Sequence, residues 1–155
     1  MKIGIIVHSQ TGNTLSVASR LQEKLSAAGH TASIEKIIPD DEKQMDAGRI
    51  KLQAIPDLSA FDALVFGAPV HGASVSPAFR AFISQAASLQ GKKICCYVTE
   101  FFPFGWMGGN RSVGQMKTYC EAKGASVAET GVVNWVNGGR KKMITGIVER
   151  FSKVF

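Results

Sequence analysis

The chain opens on an apolar strand, Ile3 to Val7, that passes through His8 into the loop Ser9-Gln10-Thr11-Gly12-Asn13-Thr14 and at once into an amphipathic helix. No other feature constrains the fold as much. A strand that ends in a tight polar loop and restarts as a helix reads as the first half of a βαβ unit. The first N–H groups of a helix have no partner inside it, and the helix dipole makes that end positive. Hydroxyl and amide side chains flank Gly12, which allows a tight turn and close approach of backbone to a ligand. No Lys or Arg lies in the loop. The arrangement therefore reads as an anion cradle of neutral donors, suited to a phosphate.

The rest of the chain repeats the same alternation. Strands are predicted at Lys2–Val7, Ala32–Ile37, Ala63–Phe66, Lys93–Val98 and Val127–Val133. Helix one runs from about Asn13 to Ala28, with Leu15, Ala18, Leu21 and Leu25 on one face and Gly29 as its stop. A later helix starts with Ser76 as N-cap and Pro77 in its first turn, turning Phe79, Phe82, Ile83 and Ala86 inward. Two more follow at about Asn110–Lys123 and Arg140–Lys153. Residues 39–60 are the least regular stretch, and a short helix using Met45, Ile50 and Leu52 is expected there. Five strands alternating with helices imply one α/β domain over residues 1–155, with a parallel sheet covered on both faces. Ligands in such sheets bind beyond the carboxyl ends of the strands, where the strand order reverses.

Composition narrows the class further. A chain of 155 residues that is 45% hydrophobic and 19% charged supports a full core. It contains no apolar run of membrane-spanning length and no signal segment before the first strand, so a cytoplasmic protein is expected. Cys95, Cys96 and Cys120 lack metal-ligand spacing, and no metal site is expected. The net charge of +6 favours an acidic partner. Its Lys and Arg are scattered, however, which argues against a nucleic-acid surface. The loops after strands one and three lack the paired carboxylates of a phospho-acceptor site. Neither a Gly-x-Gly-x-x-Gly nor a Walker motif is present.

The run Ser9-x-Thr11-Gly12-Asn13-Thr14 resembles the phosphate loop of flavodoxins, in which a hydroxyl residue and a spacer precede Thr-Gly-Asn-Thr. The resemblance covers nearly the whole chain. It is to the short-chain form, because the fifth strand has no long interruption. It implies a flavodoxin-like three-layer sandwich with a five-stranded parallel sheet in the order 2-1-3-4-5. It also implies flavin mononucleotide (FMN) as cofactor, its phosphate held by Ser9, Gln10, Thr11, Gly12, Asn13 and Thr14. The family then places the isoalloxazine between two further loops. After strand three these residues are Pro69, Val70, His71 and Gly72, with His71 in a slot that is often aromatic. The peptide joining His71 and Gly72 is expected to lie near the flavin N5.

After strand four the loop is Thr99-Glu100-Phe101-Phe102-Pro103-Phe104-Gly105-Trp106-Met107-Gly108-Gly109. Its aromatic density suits stacking on a planar ring, with backbone N–H groups for the ring oxygens. Thr99, Glu100, Phe101, Phe102, Trp106, Gly108 and Gly109 are the candidate contacts. The alternative is that these aromatics fold down as a local core. Trp106 to Arg111 resembles a flavodoxin subgroup with Trp-Met-Gly-Gly-Asn-Arg leading into the helix.

The resemblance implies an electron carrier that accepts electrons from a reductase or ferredoxin-like donor and passes them to an acceptor enzyme. The flavin carries that chemistry, and no side chain is assigned a catalytic role. The alternative is an FMN-dependent NAD(P)H quinone or azo reductase, in which the His71 loop and the aromatic loop form a substrate pocket.

Overall fold

The computed structural model describes residues 1–155. Its elements are β1 (Lys2–Val7), α1 (Asn13–Ala27), β2 (Thr31–Lys36), β3 (Ile38–Pro39), β4 (Leu52–Ala54), β5 (Ala63–His71), β6 (Ser74–Val75), α2 (Pro77–Gln85), β7 (Lys93–Glu100), α3 (Gly109–Ala122), β8 (Ser126–Asn134) and α4 (Arg140–Ser152). Five strands pair in parallel in the order β2-β1-β5-β7-β8. This is the order 2-1-3-4-5 that the resemblance implies.

Alternation along the strands divides the core in two. Ile3, Ile5 and Val7 of β1 face Val17, Leu21 and Leu25 of α1 and Ile147 and Phe151 of α4. Ile6 points the other way, toward Phe79 and Phe82 of α2 and Met116 and Cys120 of α3. Cys95 and Cys96, being adjacent in β7, fall on opposite sides. All three cysteines are buried and unpaired. No helix is long and apolar enough to cross a membrane.

Residues 39–60 depart from the expectation, since no α-helix forms there. Instead β3 and β4 pair antiparallel, with a single 3₁₀ turn between them at Ala47–Arg49 and another after β4 at Leu58–Ala60. Aspartates explain the difference. Asp41, Asp46 and Asp57 each accept the N–H two residues ahead, at 2.9, 2.9 and 3.0 Å. Such bonds offer the backbone an alternative to the helical ladder. Ile50 is still buried and Leu52 packs on the core beside α2, but Met45 is exposed.

The strand predicted to stop at Phe66 continues to His71. Val70 and His71 pair with Val75 and Ser74 across a two-residue turn, Gly72-Ala73. Both turn residues have positive φ, +59° and +64°. That is the turn geometry matching the twist of a hairpin.

Candidate functional site

Three loops meet at the carboxyl edge of the sheet, and the first is the cradle. Gly12 sits at φ +93°, where a side chain is strained, and a Cβ there would meet nothing within 4 Å. The His8 N–H donates to Gly67 O at 3.0 Å, fixing the end of β1 to β5. Beyond it the N–H groups of Ser9 through Thr14, six in succession, donate to no protein acceptor. The Leu15 N–H then returns to Ser9 Oγ at 3.2 Å, and the Ser16 N–H to Gly12 O at 3.0 Å. An unbroken row of unpaired donors thus occupies the positive end of a 15-residue helix, with open space over its glycine. The donor set fits a phosphate monoester and offers a metal cation nothing.

Buried contacts set the position of that row. Thr14 Oγ1 and Thr99 Oγ1 lie 2.8 Å apart, and the Tyr97 hydroxyl donates to Thr14 O at 2.7 Å. Thr14 and Thr99, both candidate contacts, therefore face one another as a strut between α1 and β7. Gln10, Thr11 and Gly12 are exposed, and Ser9 and Asn13 are half-buried. A cavity of about 230 Å³ bounded by Ser9, Gly12, Lys36 and Glu42 opens beside them. Lys36 places a cation near the cradle that the loop's own sequence lacks.

Packing or local hydrogen bonding is what the sequence suggests for His8. It is packed in the interior, but its hydrogen bonds run to residues far along the chain. Its Nδ1 lies 2.8 Å from Ser76 Oγ and its Nε2 lies 2.9 Å from Glu42 Oε2. Ser76 Oγ accepts the Phe79 N–H as the N-cap of α2, so its proton is free for His8 Nδ1, and Nε2–H donates to Glu42. This chain ties the residue before the cradle to α2 and to the acidic 40–46 segment. The His71 ring meets His8 edge-on, 6.1 Å between centroids. Burial, and then the neighbouring His8, hold the His71 pKa below its usual value against an opposing pull from Glu42. The neutral imidazole is favoured at neutral pH.

The other two loops touch each other. A Cβ on Gly108, at φ +129°, would come within 3.0 Å of Ala73 Cα and 3.3 Å of Val70 Cγ1. Glycine is therefore what lets the aromatic loop lie against the β5–β6 hairpin. Pro69, Val70 and His71 are half-buried at this join, and Gly72 is exposed at the turn. The aromatics do not form a local core: Phe101, Phe102, Phe104 and Trp106 are all at least half exposed. The turn after β8 holds their loop in place. Asn134 Nδ2 donates to Phe102 O at 3.0 Å and Asn137 Nδ2 to Pro103 O at 2.8 Å. Asn134 and Asn137 carry no motif, and the sequence reading missed them. Trp135 lies at the rim beneath the Arg140 guanidinium, 4.8 Å away.

Glu100, one of the candidate contacts, is buried. Its Oε1 accepts from Asn134 Nδ2 at 2.5 Å, its Oε2 has no partner, and Gly109 packs against it. Burial pushes its pKa up, opposed by the amides of Asn134 and Gly109. A carboxyl whose folded pKa is raised adds stability below the ordinary glutamate range and loses it as pH rises through the folded value. Glu100→Gln is accordingly expected to remove a fall in unfolding free energy that begins as pH rises through the ordinary glutamate range, about pH 4, toward neutrality. Urea titrations of both proteins across that range measure it, and parallel curves would contradict it.

The sequence model of the family described as Flavodoxin matches residues 5–144. No curated protein matches the sequence significantly. Among solved structures, a flavodoxin, WrbA-like protein, of Agrobacterium tumefaciens is similar at a TM-score of 0.74 and 17% identity, over 99% of this chain and 96% of that one. A flavodoxin of Streptococcus pneumoniae is similar at 0.70 and 16%, over 100% of both. A flavoprotein of Lactobacillus acidophilus in complex with FMN is similar at 0.68 and 12%, over 97% of this chain and 98% of that one. At these identities the structures speak to the fold.

Proposed function

Because this chain belongs to the flavodoxin family, we propose that it is an FMN-binding electron carrier formed by one domain over residues 1–155. The observation that carries this reading is the row of unpaired N–H groups from Ser9 to Thr14 at the start of α1. A dianionic phosphate there gains several charge-assisted hydrogen bonds and the helix dipole, with no cation in the loop itself. Thr11 and Asn13 add side-chain donors. Thr14, Thr99 and Tyr97 keep the helix start fixed, so little ordering cost falls on binding. Val70 and His71 border one side of the ring site, and Phe102 and Trp106 supply stacking faces on the other. The flavin, when bound, supplies the one- and two-electron chemistry. The chain's residues position it and limit water around it. Redox proteins are the expected partners, a reductase or ferredoxin-like donor on one side and an acceptor enzyme on the other.

FMN titration followed by flavin fluorescence tests the reading. Thr11→Ala is expected to weaken binding by about 1–3 kcal/mol, the cost of leaving a phosphate oxygen without its donor. Undiminished affinity would place the phosphate elsewhere.

The reductase reading draws on one observation, the neutral His71 against His8 beside the aromatic loop. Rapid mixing of the flavin-loaded protein with NADH or NADPH separates the two. Prompt bleaching of the flavin supports a reductase, and slow or absent bleaching supports a carrier.

A further inference from the structure

The loop from Phe101 to Met107 exposes more apolar surface than one planar ring can cover. Phe101 is 69% exposed, Phe102 51%, Phe104 52%, Trp106 76%, and Val136 on the adjoining turn 49%. Phe101 and Phe102 meet edge-on at 5.9 Å, and Phe104 and Trp106 lie parallel at 6.1 Å. The rings are thus held as two pairs within one loop. A single flavin stacks on one or two of them. Exposed apolar clusters of this kind mark docking surfaces.

Two features identify the surface they meet. The first is hydrogen bonding. No side chain from Phe101 to Met107 is charged or carries a hydroxyl or amide. The carbonyls from Glu100 to Phe104 are already satisfied: Glu100 O and Phe101 O by the Trp135 and Val136 N–H groups, Phe102 O and Pro103 O by Asn134 and Asn137, Phe104 O by the Met107 N–H. From Phe101 to Phe104 only donors remain free in the backbone. A protein interface carries a hydrogen bond per about 100–200 Å² of contact, drawn from both kinds of group. A lipid headgroup layer offers phosphates to donors, and the apolar layer beneath it offers nothing to an unpaired acceptor.

The second feature is charge. There is no Asp or Glu from Phe101 to Cys120 or from Thr130 to Val148, while Arg111, Lys117, Arg140, Lys141 and Lys142 lie in those stretches. Six of the twelve carboxylates, Asp40, Asp41, Glu42, Asp46, Asp57 and Asp62, fall instead within residues 40–62. Arg111, Lys141 and Lys142 are exposed. They begin α3 and α4 at the same edge of the sheet as the aromatic loop.

We propose that this edge docks onto an anionic lipid surface, with Phe101 and Trp106 set among the headgroups and Arg111, Lys141 and Lys142 on lipid phosphates. Aromatic rings settle at that depth, and basic residues beside them are drawn to an anionic leaflet. Docking does not depend on the flavin reading: Trp106 is exposed in the ligand-free chain, and Phe101 and the cations stay exposed when a flavin stacks on Trp106.

Sedimentation with vesicles of mixed phosphatidylcholine and phosphatidylglycerol, and with phosphatidylcholine alone, tests the proposal. It is run on the full chain with and without added FMN. The protein is expected to sediment with the anionic vesicles, less so at high salt, with a blue shift of emission that Trp106→Phe removes. Lys141→Glu with Lys142→Glu is expected to lower partitioning by about tenfold or more. Phe101→Ser with Trp106→Ser should lower it by a similar factor. All four positions are exposed. Should the serine pair misfold, the glutamate pair still decides the matter. Failure to sediment with anionic vesicles overturns the proposal, as does partitioning that neither pair changes. A Trp106 shift produced by polyglutamate and not by vesicles also overturns it, assigning the face to an acidic protein.

Discussion

Asn13→Asp is expected to weaken FMN binding by about a hundredfold or more while leaving the ligand-free protein as stable as before, or slightly more so. Asn13 is the first residue of α1, half-buried, and its side chain makes no hydrogen bond. The substitution barely changes volume and adds one negative charge. At the start of a helix such a charge is favourable, by about 0.3–1 kcal/mol. Against a bound phosphate the sign reverses. Two like charges about 5 Å apart repel by roughly 3 kcal/mol at an effective dielectric near 20, and the phosphate is a dianion. Opposite effects on stability and affinity separate this mechanism from general damage to the loop. Thermal melts of the ligand-free protein and FMN titrations supply the two readings. An unchanged affinity would remove the phosphate from this loop, and with it the basis of the cofactor assignment.

Gly67→Ala should destabilise the fold more than any other single-methyl addition near the site, by about 3 kcal/mol, at the upper end of overpacking costs. The added Cβ would fall 2.5 Å from the Tyr97 hydroxyl oxygen and against the ring carbon beside it. Tyr97 is fully buried and rigid, with its hydroxyl committed to Thr14 O at 2.7 Å. Neither partner can yield cheaply. The ring cannot rotate clear without losing its bond to the helix start, and the Gly67 backbone is paired to β1 and β7 on both sides. For a chain of this length the loss corresponds to a Tm drop of about 6–12 °C. Tyr97→Leu in the same chain should recover part of it, giving a double variant less destabilised than the sum of the two. Additive losses would show that the contact is relieved in some other way.

The polar loop after β1 and the alternation of strands and helices were legible because both are local signals, whereas the sheet order came from the resemblance to flavodoxins. Ile3 to Val7, the polar loop and the 3.6-residue pattern of α1 follow one another directly in the chain. Each later strand–helix pair repeats that grammar. Residues 39–60 were not legible as a hairpin, because Ile50 and Leu52 suit either a helix or an extended segment. What decided between them were aspartate side chains bonding their own backbone. His8 could not be read either. Its bonds to Glu42 and Ser76 span 34 and 68 residues, and nothing in the residues around His8 signals partners at that distance. The burial of Glu100 could not be read either, because Asn134, which closes over it together with Gly109, lies 34 residues away.

The amino-acid order alone settled the alternation of the five parallel strands with four helices, and where a run of backbone donors precedes the first helix. Those properties depend on hydrophobic period and on backbone groups only a few residues apart. Which side chains stand together around that spot was decided by tertiary packing. The strut from Thr14 to Thr99, the Glu42–His8–Ser76 chain and the exposed face of the aromatic loop all join residues from separate strands and turns. Their distances are set by how the sheet twists and how the helices seat upon it, quantities that no single stretch of chain contains.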